Sequence, residues 1–153
     1  MSELLTAIET HPFTQGIPPR YIHLLSRCAL FERFGVQQPL FEENFEATRF
    51  YLIKSGRVAL QTFVPTRGPT TVETLHAGDA LGWSWLFAPY RWHFSAVAIT
   101  PVEAVSLCAR TLREEIEENH DFGYEIVLRV SRVLLDRLQA TRTRLLELYE
   151  PPL

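Results

Sequence analysis

The sequence has few cysteines and no spacing typical of a metal site. Cys28 and Cys108 are the only cysteines among the 153 residues, and neither belongs to a Cys-x-x-Cys pair. They cannot form a disulfide framework, and they offer little basis for a zinc or redox centre. We therefore interpret both as small buried hydrophobic side chains. The five histidines are scattered along the chain, so we predict no metal.

Long apolar runs and an excess of positive charge are also missing. No stretch approaches the roughly 18 consecutive apolar residues of a membrane span. The segment from Met1 to Pro12 lacks the charged start and apolar run of a signal peptide. The formal net charge of −3 gives no support to a nucleic acid as the main partner. We expect a cytoplasmic protein that contacts neither a membrane nor DNA.

The composition is that of an ordinary globular domain, and the pattern changes twice along the chain. Hydrophobic residues make up 46% and charged residues 22% of the sequence. We predict N-terminal helices over residues 1–29, a β-domain over 30–109, and a short and a long helix over 110–150. Ser2 is expected to cap the first helix, and Pro18-Pro19 to open the second.

Short runs rich in β-branched and aromatic residues, separated by Gly, Pro and Asp, predict a mainly β fold of sandwich or barrel type. Ser55-Gly56 and Thr66–Pro69 are predicted to be hairpin turns. The predicted strands are Leu30–Phe34, Leu40–Glu42, Arg49–Lys54, Val58–Val64, Thr70–Leu75, Ser95–Ile99 and Val102–Leu107.

The last helix is predicted to be capped by Asp121 and to run to about Tyr149, which is longer than one small core needs. Apolar residues recur along it at spacings of four and three, the pattern of a coiled-coil seam. We predict a homodimer through this helix, with Leu128 and Leu135 on an adjacent stripe that packs on the β-domain. A monomeric amphipathic helix would show a similar stripe. The predicted dimerisation residues are Val127, Leu134, Leu138, Thr141 and Leu145.

Three motifs occur in a recognisable order. They are Phe50–Leu60 (FYLIKSGRVAL), Leu75–Gly82 (LHAGDALG) and Arg137–Thr141 (RLQAT). They resemble the hairpin, the Gly-Asp turn and the subunit-pairing helix of the cyclic nucleotide-binding superfamily, specifically the effector domain of catabolite-activator type regulators. The resemblance implies a jelly-roll-like β-roll (a double-stranded β-helix) with N-terminal helices and a long C-terminal dimerisation helix. It also implies a regulatory binding domain.

The segment after the Gly-Asp turn departs from the family's ligand-binding pattern. In the family, a Gly-Glu pair binds the ribose hydroxyl and an Arg-Ser/Thr-Ala run pairs with the phosphate. Here Gly82 is followed by Trp83. The second run is Trp92-His93-Phe94-Ser95-Ala96, so Trp or His stands where arginine is expected. An indole cannot replace a guanidinium as a phosphate partner, so we do not expect ordinary cAMP binding.

Six aromatic residues, which we call the aromatic cassette, lie in this departing segment: Trp83, Trp85, Phe87, Tyr90, Trp92 and Phe94. Their rings either fill a vacated pocket, or line a remodelled pocket for a flat heterocyclic or nucleotide-like ligand. No cofactor follows with certainty. Arg91 is the expected partner of any anion. The candidate ligand-binding residues are Gly82, Trp83, Ser84, Arg91, Trp92, His93, Ser95 and Thr141.

The residues after the long helix are too few for a helix-turn-helix domain. We therefore expect no direct DNA binding, and an output through contact with an unknown protein partner. Two functions stay open: a sensor that binds a small ligand, and a ligand-free structural adaptor or complex subunit. An enzyme is not expected, because the sequence has no catalytic-triad order, phosphate loop or dinucleotide fingerprint.

Overall fold

Eight strands form two antiparallel sheets in the computed structural model, which describes residues 2–150. Seven of the eight match the predicted strands to within two residues at each end. The short strand β6 was not predicted, because two residues carry no periodic signal. The strands are β1 Ala29–Phe34, β2 Pro39–Phe41, β3 Arg49–Ser55, β4 Val58–Val64, β5 Gly68–Leu75, β6 Ala80–Leu81, β7 Ser95–Ala98 and β8 Val102–Cys108.

The chain crosses repeatedly between the two sheets. One sheet has the order β1-β8-β3-β6 and the other β2-β7-β4-β5. Thr66–Pro69 forms a true hairpin, since Val64 pairs with Gly68 across it. The hairpin predicted at Ser55-Gly56 is wrong: β3 and β4 lie in different sheets, so this turn connects the sheets. This layered arrangement confirms the predicted β-roll.

Strand β3 carries four consecutive buried side chains, from Phe50 to Ile53, and not an alternating pattern. It is an interior strand of its sheet, with roll side chains on one face and N-terminal residues on the other. Phe13 packs edge-on against Phe50 with ring centroids 5.0 Å apart. His11 Nε2 donates a hydrogen bond to the Ile53 carbonyl at 3.1 Å. Because both faces of β3 are covered, its buried residues are consecutive in the sequence and do not alternate with polar ones.

Helices flank the roll at both ends of the chain, as predicted. Ser2 Oγ caps the first helix by accepting from the Leu5 N–H at 3.1 Å. The cap predicted at Asp121 is wrong, because the Asn119 side chain caps the long helix and Asp121 lies in its first turn. No helix within residues 2–150 has the length and apolarity that a membrane span requires. The helices are α1 Glu3–Thr10, α2 Pro19–Arg27, α3 Ala109–Glu118 and α4 His120–Tyr149, with a 3₁₀ turn at Pro12–Thr14.

The start of α4 packs on the roll through one stripe, whose buried members are Phe122, Gly123, Ile126 and Val130. Leu128 and Leu135 were predicted to make this contact, and that prediction is wrong. Their side chains are 53% and 43% exposed, because they lie outside the stripe that faces the roll. The packing stripe continues through the half-buried Val133 and Leu134. The residues of the last turns, from Thr141 onwards, are exposed.

Candidate functional site

The indole of Trp92 packs against Gly82, the residue that directly follows strand β6. It is only 4% exposed, and it stacks on Phe41 with ring centroids 3.5 Å apart and planes 7° from parallel. A Cβ added to Gly82 would lie 2.6 Å from Trp92 Cζ3, and Gly82 has a φ of +100°. Position 82 therefore requires glycine, both for its backbone conformation and for its close approach to the Trp92 ring.

The aromatic cassette begins with a tight turn at residues 83–86. The Leu86 N–H donates to the Trp83 carbonyl at 3.1 Å, and no helix forms there. Trp85 is fully buried in the core, not in a pocket wall. Its indole N–H donates to the Gly82 carbonyl at 3.0 Å, which ties the turn to the core.

Ser84, His93 and Trp83 form a small cluster at the mouth of the roll. Ser84 Oγ lies 2.8 Å from His93 Nδ1 and accepts a hydrogen bond from the His93 backbone N–H at 3.3 Å. The Trp83 ring stacks on the His93 imidazole with centroids 4.5 Å apart. Ser84 is buried while His93 is exposed, so the serine hydroxyl is committed to the histidine.

The cavity that remains between these residues and α4 has a volume of about 20 Å³, enough for about one water molecule. A nucleotide does not fit this conformation of the roll. The rings and aliphatic side chains of the roll occupy the space instead. The cavity walls are Phe41, Leu60, Leu75, Leu81, Gly82, Trp83, Ser84, Trp92, Phe94, Val133 and Arg137.

Three candidate residues lie away from this cavity. Ser95 Oγ accepts from the Glu43 N–H at 2.9 Å. Arg91 is exposed, and its Nη1 donates to the Asn44 carbonyl at 2.9 Å. Thr141 is an exposed residue of α4 and forms no part of the cavity wall. The structure therefore brings together Gly82, Trp83, Ser84, Trp92 and His93, and leaves Arg91, Ser95 and Thr141 outside.

Phe94 directly precedes the Ser95-Ala96 pair and contributes to the cavity wall. Trp92 lines the cavity too, whereas His93 does not. Strand β7 begins at Ser95, so Phe94 is the last residue before the strand, and its ring forms part of the wall there. An apolar ring at this point offers nothing to a phosphate.

Arg137 of α4 is a site residue that was quoted in a motif but not predicted to line the site. Its Nη1 lies 2.9 Å from Glu73 Oε2 on β5, and its Nη2 is 3.5 Å from the Ala80 carbonyl. Burial raises the pKa of Glu73, although the Arg137 and Arg144 charges oppose this effect. Arg137 could have been identified from the sequence by its spacing. It is a charged residue at a position where the packing stripe of α4 would otherwise place an apolar one.

A wider groove lies on the other side of Arg137, between α4 and the turn that contains Gly78 and Asp79. Its volume is about 450 Å³. Its charged lining carries both signs, so it does not select an anion by charge alone. Val133 and Arg137 line both this groove and the closed cavity, and therefore separate them.

Arg113 of α3 holds the cassette from a second direction. Its Nη1 donates to the Trp85 carbonyl at 2.7 Å, and its guanidinium carbon lies 4.1 Å from the centre of the Tyr90 ring. Cation–π contacts of this kind are strongest where water is partly excluded. The sequence offered no signal for this role, because Arg113 lies in a run of charged helical residues.

The fold and the motif positions agree with a known family. The family model described as cyclic nucleotide-binding domain matches residues 31–119. The chain belongs to the cyclic nucleotide-binding domain family. This membership confirms the resemblance, and the matched residues include the motifs Phe50–Leu60 and Leu75–Gly82.

A curated relative of this cyclic nucleotide-binding domain is the CRP-like cAMP-activated global transcriptional regulator of Mycobacterium tuberculosis. The two are 28% identical over 134 residues, which are 88% of this chain and 58% of the relative. The chain thus spans less than two thirds of the length of that relative.

Solved structures share the fold at lower identity. A cyclic nucleotide-binding domain from Methylobacillus flagellatus matches with a TM-score of 0.80 at 18% identity, covering 99% of this chain and 85% of that one. The regulatory subunit of a cAMP-independent protein kinase A from Trypanosoma cruzi, bound to guanosine, matches with a TM-score of 0.74 at 19% identity. This match covers 95% of this chain and 49% of that one.

Proposed function

We propose that this domain is a regulatory sensor whose remodelled pocket takes a flat, phosphate-free heterocycle of the nucleoside class, and that it signals by protein–protein contact. The observation that carries this proposal is the stack of Trp92 on Phe41 at 3.5 Å, a planar ring system held against Gly82. A ligand ring of similar shape can replace the indole between these surfaces. We infer a binding role and not a catalytic one.

The charges of the cavity wall argue against a phosphate. Among the described residues that line it, Arg137 is the only cation, and it is paired with Glu73. Arg91 donates to a backbone carbonyl elsewhere. A cyclic phosphate would have to lose its water without gaining a free guanidinium partner, which is unfavourable. A nucleoside carries no such charge.

The Trypanosoma cruzi neighbour supports the ligand class. It is a protein of the same fold described as cAMP-independent and bound to guanosine, a nucleoside without phosphate. In our domain, the aromatic faces of Trp83 and Trp92 suit a purine ring. The Ser84–His93 pair supplies polar groups that can exchange their mutual hydrogen bond for one to the ligand.

The contacts of α4 suggest how binding is coupled to an output. Val133 and Arg137 separate the closed cavity from the solvent-open groove, so a ligand that enters there displaces the Arg137–Glu73 pair and shifts α4 against the roll. The aromatic cassette also contacts α3, because Arg113 donates a hydrogen bond to the Trp85 carbonyl. Such a shift is a two-state movement of the kind that allosteric coupling needs.

The outer face of α4 is the proposed dimer interface. Val127, Leu138 and Leu145 are 40%, 66% and 51% exposed, and they share one side of the helix. A second copy of the chain would cover this face and bring the two α4 helices together. Thr141 lies on the same side, where it would face the partner subunit.

The alternative is a ligand-free adaptor, and the cavity volume of about 20 Å³ favours it. In that case the cassette is a permanent filling of the roll, and only the outer surfaces and α4 contact partners. The cytoplasmic location stays a prediction in either case.

The test is a titration of the purified domain with guanosine, adenosine, cAMP and cGMP, followed by tryptophan fluorescence and calorimetry. We expect saturable binding of a nucleoside, with weaker or no binding of the cyclic nucleotides. Trp92→Leu should open the cavity and change the affinity. Tyr149→Leu, at an exposed residue near the end of α4, is the matched control and should leave the affinity unchanged.

Absence of binding by every nucleoside and nucleotide, in both wild type and Trp92→Leu, would leave the adaptor as the better account. Tight binding of cAMP alone would contradict the phosphate-free pocket.

A further inference from the structure

Cys28 and Cys108 face each other across the end of one sheet, although 80 positions separate them in the sequence. The β1–β8 ladder ends at the pair Ala29–Leu107, and Cys28 and Cys108 are the next residue on each side. Cys28 is the C-cap of α2, and its carbonyl accepts a hydrogen bond from the Cys108 N–H at 3.0 Å.

The hydrogen bond between the two backbones brings Cys28 and Cys108 to a separation that a disulfide can span. A hydrogen-bonded pair has its Cα atoms about 5.5 Å apart, within the range of roughly 4.4–6.8 Å found for disulfides. The Cys28 thiol lies close enough to Cys108 for the Cys108 backbone N–H and the Cys108 thiol both to affect its pKa. Both side chains are partly exposed, so small oxidants can reach them.

The two thiols have different surroundings. The Cys108 sulfur is at the N-terminus of α3, where hydrogen bonding with the Thr111 side chain and backbone lowers its pKa. Burial raises the pKa of Cys28, whose sulfur also lies near the Cys108 N–H. The Arg49 charge acts on both. The Cys108 thiol therefore ionises more readily than the Cys28 thiol, which is the order expected of an attacking and a resolving cysteine.

We propose that Cys28 and Cys108 form a reversible disulfide when the protein meets a peroxide. The Cys108 thiolate attacks one peroxide oxygen and the O–O bond breaks. This gives a sulfenic acid and hydroxide, or an alkoxide from an organic peroxide. The Cys28 thiol then attacks the sulfenic sulfur, the S–O bond breaks, and the hydroxyl takes the Cys28 proton and leaves as water. Two thiols are oxidised and one peroxide is reduced.

The disulfide would join the C-terminus of α2 to the N-terminus of α3. Cys28 is the last, capping residue of α2, and Cys108 precedes the first residue of α3. Since α3 holds the cassette through Arg113 and leads into α4, the bond would restrain the movement of both helices relative to the roll. This inference stands whether or not the pocket takes a nucleoside.

The test treats the full chain with hydrogen peroxide, blocks the remaining thiols with an alkylating reagent, and measures intact and peptide masses. We expect the wild type to lose two hydrogens and to yield one cross-linked peptide pair containing both cysteines, reversed by dithiothreitol. Cys28→Ser should stop at an oxygen adduct on Cys108. Cys108→Ser should react more slowly, on the order of tenfold, because its remaining thiol ionises less readily.

Circular dichroism of the two serine variants controls for folding. If the treated wild type retains two alkylatable thiols, carries only stable oxygen adducts, or forms disulfides between chains at low protein concentration, the proposal is overturned.

Discussion

Arg137 of α4 and Glu73 of β5 form an ion pair, with Nη1 and Oε2 2.9 Å apart, which fastens the long helix to the roll. The two side chains are 24% and 19% exposed, so water screens the pair only in part. The same arginine separates the closed aromatic cavity from the wider groove. This contact is therefore both a structural link and the barrier that a ligand would have to move.

Removal of Arg137 should destabilise the fold more than removal of an exposed arginine. Arg137→Met leaves the Glu73 carboxylate half-buried without its partner, and we expect a loss of about 1–3 kcal/mol in the free energy of unfolding. Arg33→Met, where the arginine of a pair with Glu103 is 85% exposed, should cost less than about 1 kcal/mol. Urea unfolding measures both. Equal losses in the two variants would contradict a special role for the Arg137 pair.

Gly82→Ala should lower the free energy of unfolding more than Gly68→Ala, although both glycines have a positive φ. At Gly82 the new Cβ meets Trp92 Cζ3 at 2.6 Å, whereas at Gly68, with a φ of +82°, nothing lies within 4 Å. We expect Gly68→Ala to cost about 1–2 kcal/mol from backbone strain alone. Gly82→Ala should add about 1–3 kcal/mol from overpacking. Thermal and urea unfolding would refute the packing argument if the two variants were equally stable.

The fold should lose stability as the pH falls below 6.5, and His11 should be one cause. Its Nδ1 accepts from the Phe13 N–H and its Nε2–H donates to the Ile53 carbonyl, both at 3.1 Å, an arrangement that needs the neutral ring. Burial lowers the pKa of His11 below the model-peptide value of 6.5. The contribution of neutral His11 to the free energy of unfolding is therefore complete above pH 6.5. It is lost as the pH falls from 6.5 through the lowered pKa of His11 in the folded protein.

Urea unfolding at a series of pH values, with wild type and His11→Asn compared, measures this effect. Asparagine keeps a side-chain acceptor for the Phe13 N–H but does not titrate. The difference in stability between the two proteins should shrink as the solution becomes acidic. A difference independent of pH would show that His11 does not titrate in this way.

Leu138→Asp should prevent dimerisation. The residue is 66% exposed on the outer face of α4, and a carboxylate there would have to be buried against the partner helix. Gln139→Asp introduces the same charge at an exposed position on a different side of the helix. Analytical ultracentrifugation should find a monomer for Leu138→Asp and a dimer for Gln139→Asp. If Leu138→Asp stays dimeric, another surface forms the interface.

Local signals explain why most elements could be predicted. Val58–Val64 was predicted with its observed ends, because a β-branched run lies between a Gly turn and a Pro-containing turn. The cap at Asn119 was missed, since Asp121 is an equally good capping residue by type. The choice between them depends on where α3 ends, which is decided by packing and not by the capping residues themselves.

The candidate site was predicted only in part, because its members come from distant segments. Gly82, Trp83, Ser84, Trp92 and His93 lie close together in the sequence, and the structure keeps them together. The residues that complete the site, Phe41 from β2 and Arg137 from α4, are placed by sheet pairing and helix docking. Arg91 and Ser95 lie outside the cavity because they form hydrogen bonds with the Asn44 carbonyl and the Glu43 N–H, which are also distant in the sequence.

The sequence by itself determined the β-roll, its flanking helices and the presence of the aromatic cassette, since these depend on local pattern and residue type. Only the tertiary structure decided that Trp92 fills the pocket, that Arg137 closes it, and that Cys28 meets Cys108. Each of these contacts joins residues whose separation in the chain has no relation to their distance in space. They arise from strand register and helix packing, which emerge only when the whole core is assembled.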